Sequence, residues 1–123
     1  MTHPVIQRRR AEQATLVGLA RAYVGKLRAR LSIEHAWVAG SVARGDFNVW
    51  SDIDVVVVAR VLPDDGLDRL DLFVDAPARV QVIAYRPDEF DRAERRRDPL
   101  ATEAVSSGID LLAGLPEEPP QQA

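Results

Sequence analysis

The chain has 123 residues, 16 Lys and Arg against 19 Asp and Glu, a formal net charge of −3, 46% hydrophobic residues and no Cys. That length fits one domain with a single core, since domains run to about 100–150 residues, and leaves little room for a separate substrate-binding domain. The balanced charge excludes a disordered chain, and without Cys there is no disulfide framework, thiolate nucleophile or zinc–thiolate site, which suits a reducing, cytoplasmic setting.

Arg8, Arg9 and Arg10 are followed by no apolar segment, which argues against a signal peptide. Between Gln7 and Leu31 the residues Leu16, Leu19, Ala20, Tyr23, Leu27 and Leu31 recur at helical spacing and predict one long amphipathic helix. Its other face carries Arg21, Lys26, Arg28 and Arg30, read as a solvated basic face or as a phosphate or partner contact. Ile33 to Ala39 reads as a strand ending at Gly40-Ser41, and Ser41 to Asp46 as a compact loop or half-turn of helix. Ile53 to Ala59, with four successive Val residues, is the strongest strand signal and predicts a central strand buried on both faces. It is also the core of the most apolar run, far short of the roughly 20 residues of a membrane span.

Pro63 to Gly66 breaks the chain, Leu67 to Phe73 fits a short helix, and Pro77 breaks it again. Arg79 to Tyr85 alternates as a third strand. Pro87 opens a helix with Asp88 and Glu89 in its first turn. Asp98-Pro99 starts a last helix expected to run to about Leu112, and the Pro-containing tail from Gly114 to Ala123 is expected to be disordered. The alternation implies an α/β (α+β) fold: a small mixed β-sheet flanked by helices.

The chemistry concentrates in Gly40-Ser41-Val42-Ala43-Arg44-Gly45-Asp46 and, after a short spacer, Ser51-Asp52-Ile53-Asp54. A Gly-Ser turn leaving a strand and entering a helical turn offers free backbone N–H groups, a hydroxyl and a helix dipole to an anion such as phosphate. Asp52 and Asp54 open a strand, so the pleat places both side chains on one face, about 6.5–7 Å apart at Cα. Two hard carboxylates there suit Mg²⁺, whose remaining positions go to water and substrate phosphates. An acidic residue set into a core strand is costly unless paired or metal-bound. Alone, an Asp pair reads as a turn cap and a Gly-Ser as an ordinary turn; their combination points to a metal-bound nucleoside triphosphate.

These residues, Gly40-Ser41, Ala43-Arg44-Gly45 and Ser51-Asp52-Ile53-Asp54, resemble the signature of the minimal nucleotidyltransferases of the DNA polymerase beta superfamily, and the resemblance extends over about Ile33 to Phe90. It implies a single nucleotidyltransferase-like domain over 1–113 with its core at about 31–92. It further implies that Gly40 and Ser41, with Ser51, bind the nucleotide, and that Asp52 and Asp54 are catalytic and hold two Mg²⁺ ions. Arg44 is either a phosphate contact or a brace of the turn. The implied reaction moves a nucleoside monophosphate, AMP in the first instance, from a triphosphate to a hydroxyl.

The sequence departs from that pattern at a third carboxylate, whose position on the Arg79 to Tyr85 strand matches Gln81. A Gln offers a neutral oxygen but no charge and no base, so one metal position and acceptor activation are expected to be weakened. Asp75 is a poor substitute because Pro77 breaks the register. A second reading follows from the same departure: an antitoxin-type or degenerate domain that binds a small helical HEPN-like partner, or a second copy of itself.

Other signals fall away. Asp46 to Asp52 imitates the start of a calcium loop, but Ser51 and Val57 occupy the places of its Gly and Glu. There is no Walker Lys, and His3 and His35 are too few for a zinc site. Trp37 reads as core. Trp50 reads as packing or as a surface for a base or partner, and Arg95-Arg96-Arg97 as a solvated face or an acceptor contact. A pI near 5.3 argues against a broad nucleic-acid-coating surface.

Overall fold

The computed structural model describes residues 3–116. In chain order the elements are α1 (Pro4–Leu27), β1 (Ile33–Ala39), α2 (Gly40–Arg44), β2 (Ile53–Ala59), α3 (Gly66–Asp71), β3 (Val80–Tyr85), α4 (Pro87–Arg95), α5 (Pro99–Ser107) and β4 (Ile109–Asp110). The strands form one mixed sheet in the order β3-β2-β1-β4, parallel between β2 and β3 and antiparallel elsewhere. The run of Val residues makes β2 an inner strand because each face of it is covered. Val55 and Val57 pack with Val17, Ala20, Val24 and Leu27 of α1. Val56 and Val58 pack with Phe90 and Ala93 of α4 and with Ala101 and Ala104 of α5. The buried core therefore draws on α1 and α5 as well as on residues 31–92.

Helix α1 begins earlier and ends sooner than its periodicity indicates. Pro4 at the first turn fits a helix start, and Leu31 is buried beyond the helix end. Leu19 is exposed, while Val17 and Val24 take the inward places.

The last helix is a larger correction. It stops at Ser107, not near Leu112, because Gly108 turns to an extended conformation after donating to the Ala104 carbonyl. Ile109 and Asp110 then pair with Val38 and Trp37 on the open edge of β1, and the Leu111 N–H donates to the Ala36 carbonyl at 2.8 Å. Burial of Leu111 fixes that return.

Of the tail, residues 114–116 are described. Leu115 packs on the core beside α1, and Arg28 donates to the Pro116 carbonyl at 2.6 Å. Residues 117–123 of that tail lie outside the described residues.

Asp75 serves the fold. Its carboxylate accepts from Arg30 at 2.7 and 2.8 Å and from the Tyr23 hydroxyl at 2.8 Å, tying the segment after α3 to α1. Burial, and then the hydrogen bond to Asp75, push the Tyr23 hydroxyl up to about 12. Its folded value lies above the unfolded one, so this contribution to stability is full below about pH 10 and is lost as pH rises toward 12. Tyr23→Phe is expected to cost about 1 kcal/mol in urea unfolding near neutrality and to flatten the alkaline fall in stability. An unchanged alkaline profile in the variant would count against the assignment.

Candidate active site

The candidate site lies where β1 ends and β2 begins. Ala39, the last residue of β1, faces Asp54 in the antiparallel pair, and Gln81 faces Asp54 in the parallel pair. Asp54 thus sits between two neighbouring strands, on the same face as Val56 and Val58, which is the face covered by α4 and α5. Gly40 opens α2 at φ +69°, and a Cβ there would collide with Asp54 Oδ2. The absence of a side chain at Gly40 is what lets the Asp54 carboxylate lie against the turn. Gly45 closes α2 at φ +87°, where its N–H and that of Asp46 donate to the Ser41 carbonyl at 2.9 and 3.1 Å.

A set of local bonds fixes the approach to Asp52. The Ser51 N–H donates to the Asn48 carbonyl at 3.1 Å, and the Asn48 N–H donates to Ser51 Oγ at 2.9 Å. Arg79, just before β3, donates to the Ser51 carbonyl at 2.9 Å. On the other side of the loop, Arg9 of α1 donates to the carbonyls of Gly45 and Phe47 and lies 3.9 Å above the Phe47 ring. Ser51, expected to bind nucleotide, builds this turn. Trp50 is 89% exposed on it, whereas Trp37 is half-buried and stacked between His35 and Phe90.

The carboxylates of this protein are mostly committed to arginines: Asp46 and Glu103 to Arg44, Asp64 to Arg86, Asp75 to Arg30 and Glu89 to Arg69. Among the described acids without an arginine are Asp52, which is exposed, and Asp54, which is half-buried. Neither carboxylate has a hydrogen-bond or ion-pair partner among the described residues. Burial first, then the like charges of Asp52 and Glu103, push the Asp54 carboxyl above the usual carboxylate range, against the opposing pull of Arg44. A half-buried carboxylate without a counter-charge is costly, and a divalent cation with hard-oxygen preference is the group that would relieve it. No cluster of three His, Cys, Asp or Glu suited to a metal occurs among the described residues.

Arg44 braces the end of α2. Its Nε donates to Asp46 at 3.2 Å and its Nη1 to Glu103 of α5 at 2.8 Å. Glu103 carried no signal in the sequence. It stands far from the Gly-Ser turn and the Asp pair, and only the packing of α5 against α2 and β1 brings it there. The structure also brings Gln81 beside Asp54, exposed and on the same face. Asp75 is held by α1 and does not join the group.

A four-stranded mixed sheet with helices on both faces, a glycine turn and a carboxylate pair at adjacent strand ends define a nucleotidyltransferase-type domain. The nucleotidyltransferase domain family matches residues 21–104, and the chain belongs to that family. The chain is also similar in fold to the crystal structure of a candidate nucleotidyltransferase from Sulfolobus solfataricus, with a TM-score of 0.62 and 23% identity over 83% of this chain and 84% of that one. Comparison with curated proteins gives no match. No helix among the described residues is long and apolar enough to cross a membrane.

Proposed function

We propose that this chain transfers a nucleoside monophosphate, AMP in the first instance, from a Mg²⁺-bound nucleoside triphosphate to a hydroxyl acceptor, with release of pyrophosphate. The observation that carries the proposal is the half-buried, unpartnered Asp54 carboxylate set against the side-chain-free Gly40 turn, with Asp52 two residues before it. Backbone N–H groups at Gly40 and Ser41 bind phosphate oxygens, and Asp52 and Asp54 hold Mg²⁺. When bound, the metal supplies charge neutralisation on the phosphates and on the leaving pyrophosphate. The acceptor oxygen forms a bond to the α-phosphorus as the bond from that phosphorus to the bridging oxygen of pyrophosphate breaks, and the acceptor proton departs. Gln81, beside Asp54, cannot take that proton. Transfer therefore proceeds with the proton passing to solvent, and slowly.

Titration calorimetry of Mg²⁺·ATP into the wild type and into the Asp52→Asn, Asp54→Asn double variant tests this reading. Binding is expected in the wild type only when Mg²⁺ is present, and is expected to disappear in the double variant without a fall in unfolding temperature, because like charges are removed. Equal binding by both proteins would refute the assignment.

A second reading, a binding module for a small helical HEPN-like partner or a second copy, is favoured by the apolar residues left open on one loop, Val49 and Trp50. Light scattering at increasing protein concentration, with Trp50→Ala as control, tests the self-association arm. A concentration-independent monomer removes that arm.

A further inference from the structure

On the proposed reading that a nucleoside triphosphate binds at Gly40 and Ser41, we infer that Glu103 is a positioning residue that holds the Arg44 guanidinium beside the phosphates. Arg44 ends the helical turn that Gly40 begins, so the two are four positions apart on one helix face. Its guanidinium is gripped on two edges, Nε by Asp46 and Nη1 by Glu103. Its third edge, Nη2, has no partner among the described residues. A long arginine side chain that is half exposed otherwise gives up considerable rotamer freedom to bind an anion. Two carboxylates that fix it in advance remove much of that loss while leaving one N–H edge for a phosphate oxygen.

Glu103 suits this role because its own position is fixed. It projects from α5, whose Ala101 and Ala104 are buried against the sheet, and its side chain is only 22% exposed. Asp46, by contrast, lies in the loop that follows α2 and is well exposed. The grip on Arg44 that is anchored in the core is therefore the one from Glu103.

Two effects of Glu103 on a triphosphate have opposite sign. Its negative charge repels the phosphates through space, whereas its grip on Arg44 pre-places an attracting cation. The inference requires the second to prevail. Calorimetry with Mg²⁺·ATP and separately with Mg²⁺·tripolyphosphate is the test, on wild type, Glu103→Gln, Glu103→Asp, Arg44→Ala and the Arg44→Ala, Glu103→Gln pair. Glu103→Gln is expected to weaken both ligands about tenfold, Glu103→Asp to recover part of that loss, and the effect of Glu103→Gln to vanish where Arg44 is already Ala. Unchanged or tighter binding by Glu103→Gln overturns the inference, as does an equal loss in the Arg44→Ala background. If the wild type binds Mg²⁺·ATP and Glu103→Gln matches it, only this inference falls. If the wild type binds neither ligand, the proposed function falls and this inference with it.

Discussion

Gln81→Glu is expected to raise nucleotidyl transfer by about 10²–10⁴-fold, the range a positioned base contributes, equivalent to about 3–5 kcal/mol of barrier. Gln81 is the partner of Asp54 across the parallel β2–β3 pair, so a carboxylate at that position lies on the same face, one strand spacing of about 4.8 Å away. The change adds a hard anionic oxygen and a group able to accept the acceptor's proton, the two properties an amide lacks. Gln81 is exposed, so the substitution should cost the fold little. Pyrophosphate release from Mg²⁺·ATP, with water as the acceptor of last resort, reports the rate. Gln81→Ala should stay at the wild-type level, which separates a gained base from a lost amide. A Gln81→Glu rate equal to wild type would show that the missing proton acceptor does not explain a slow enzyme.

Gly40→Ala should impair both stability and ligand binding, whereas Gly45→Ala should impair stability alone. Both glycines hold positive φ, +69° and +87°, a conformation that costs an L-residue about 1–2 kcal/mol. At this chain length that corresponds to an unfolding temperature lower by about 4–8 °C. The two sites differ in what a new methyl meets. At Gly45 the nearest atom is the Gln13 amide nitrogen at 4.0 Å, an ordinary contact. At Gly40 it is the Asp54 carboxylate, whose Cγ lies 3.3 Å away and whose Oδ2 is closer still. The carboxylate must move, and a displacement of about 1 Å in a site of this kind costs on the order of 10²-fold. Thermal unfolding with Mg²⁺·ATP calorimetry on both variants checks this. Equal binding losses at the two glycines would mean that backbone strain, and not the seat of Asp54, governs the ligand site.

Electrostatic wiring away from the site follows the same logic of shielded pairs. Burial opposes ionisation of Glu89, but hydrogen bonds from Arg69 at 2.8 and 3.2 Å and from the Arg86 N–H at 2.8 Å outweigh it and hold its carboxyl below the ordinary value. Since the folded value is lowered, the pair stabilises the protein above the unfolded carboxyl value near 4.5, and that contribution is lost as pH falls through the folded one. Glu89→Gln should accordingly blunt the acid loss of stability, measured as urea midpoints on stepping pH downward from 6.

The sequence by itself determined β1, β2 and β3, the glycine turn, the Asp52–Asp54 spacing and the family, because each is written in contiguous residues. The four Val residues require burial on both faces, and a side-chain period of two places Asp52 and Asp54 together without help from the rest of the chain. It also set Gln81 on a strand, and the structure pairs it with Asp54. Tertiary structure alone decided three other matters. The apolar spacing of Ala101, Ala104, Leu111 and Leu112 satisfies a helix as well as a short strand, and only the open edge of β1 makes Ile109 and Asp110 pair there. That Arg44 is held by Glu103 was decided by α5, which brings the two to within 2.8 Å. Asp52 and Asp54 were visible as a pair, but their lack of any partner was not, because which arginine meets which carboxylate depends on contacts between residues distant in the chain. Local periodicity is encoded in neighbouring residues, whereas the pairing of charges and of strand edges is settled by which surfaces the buried core forces together.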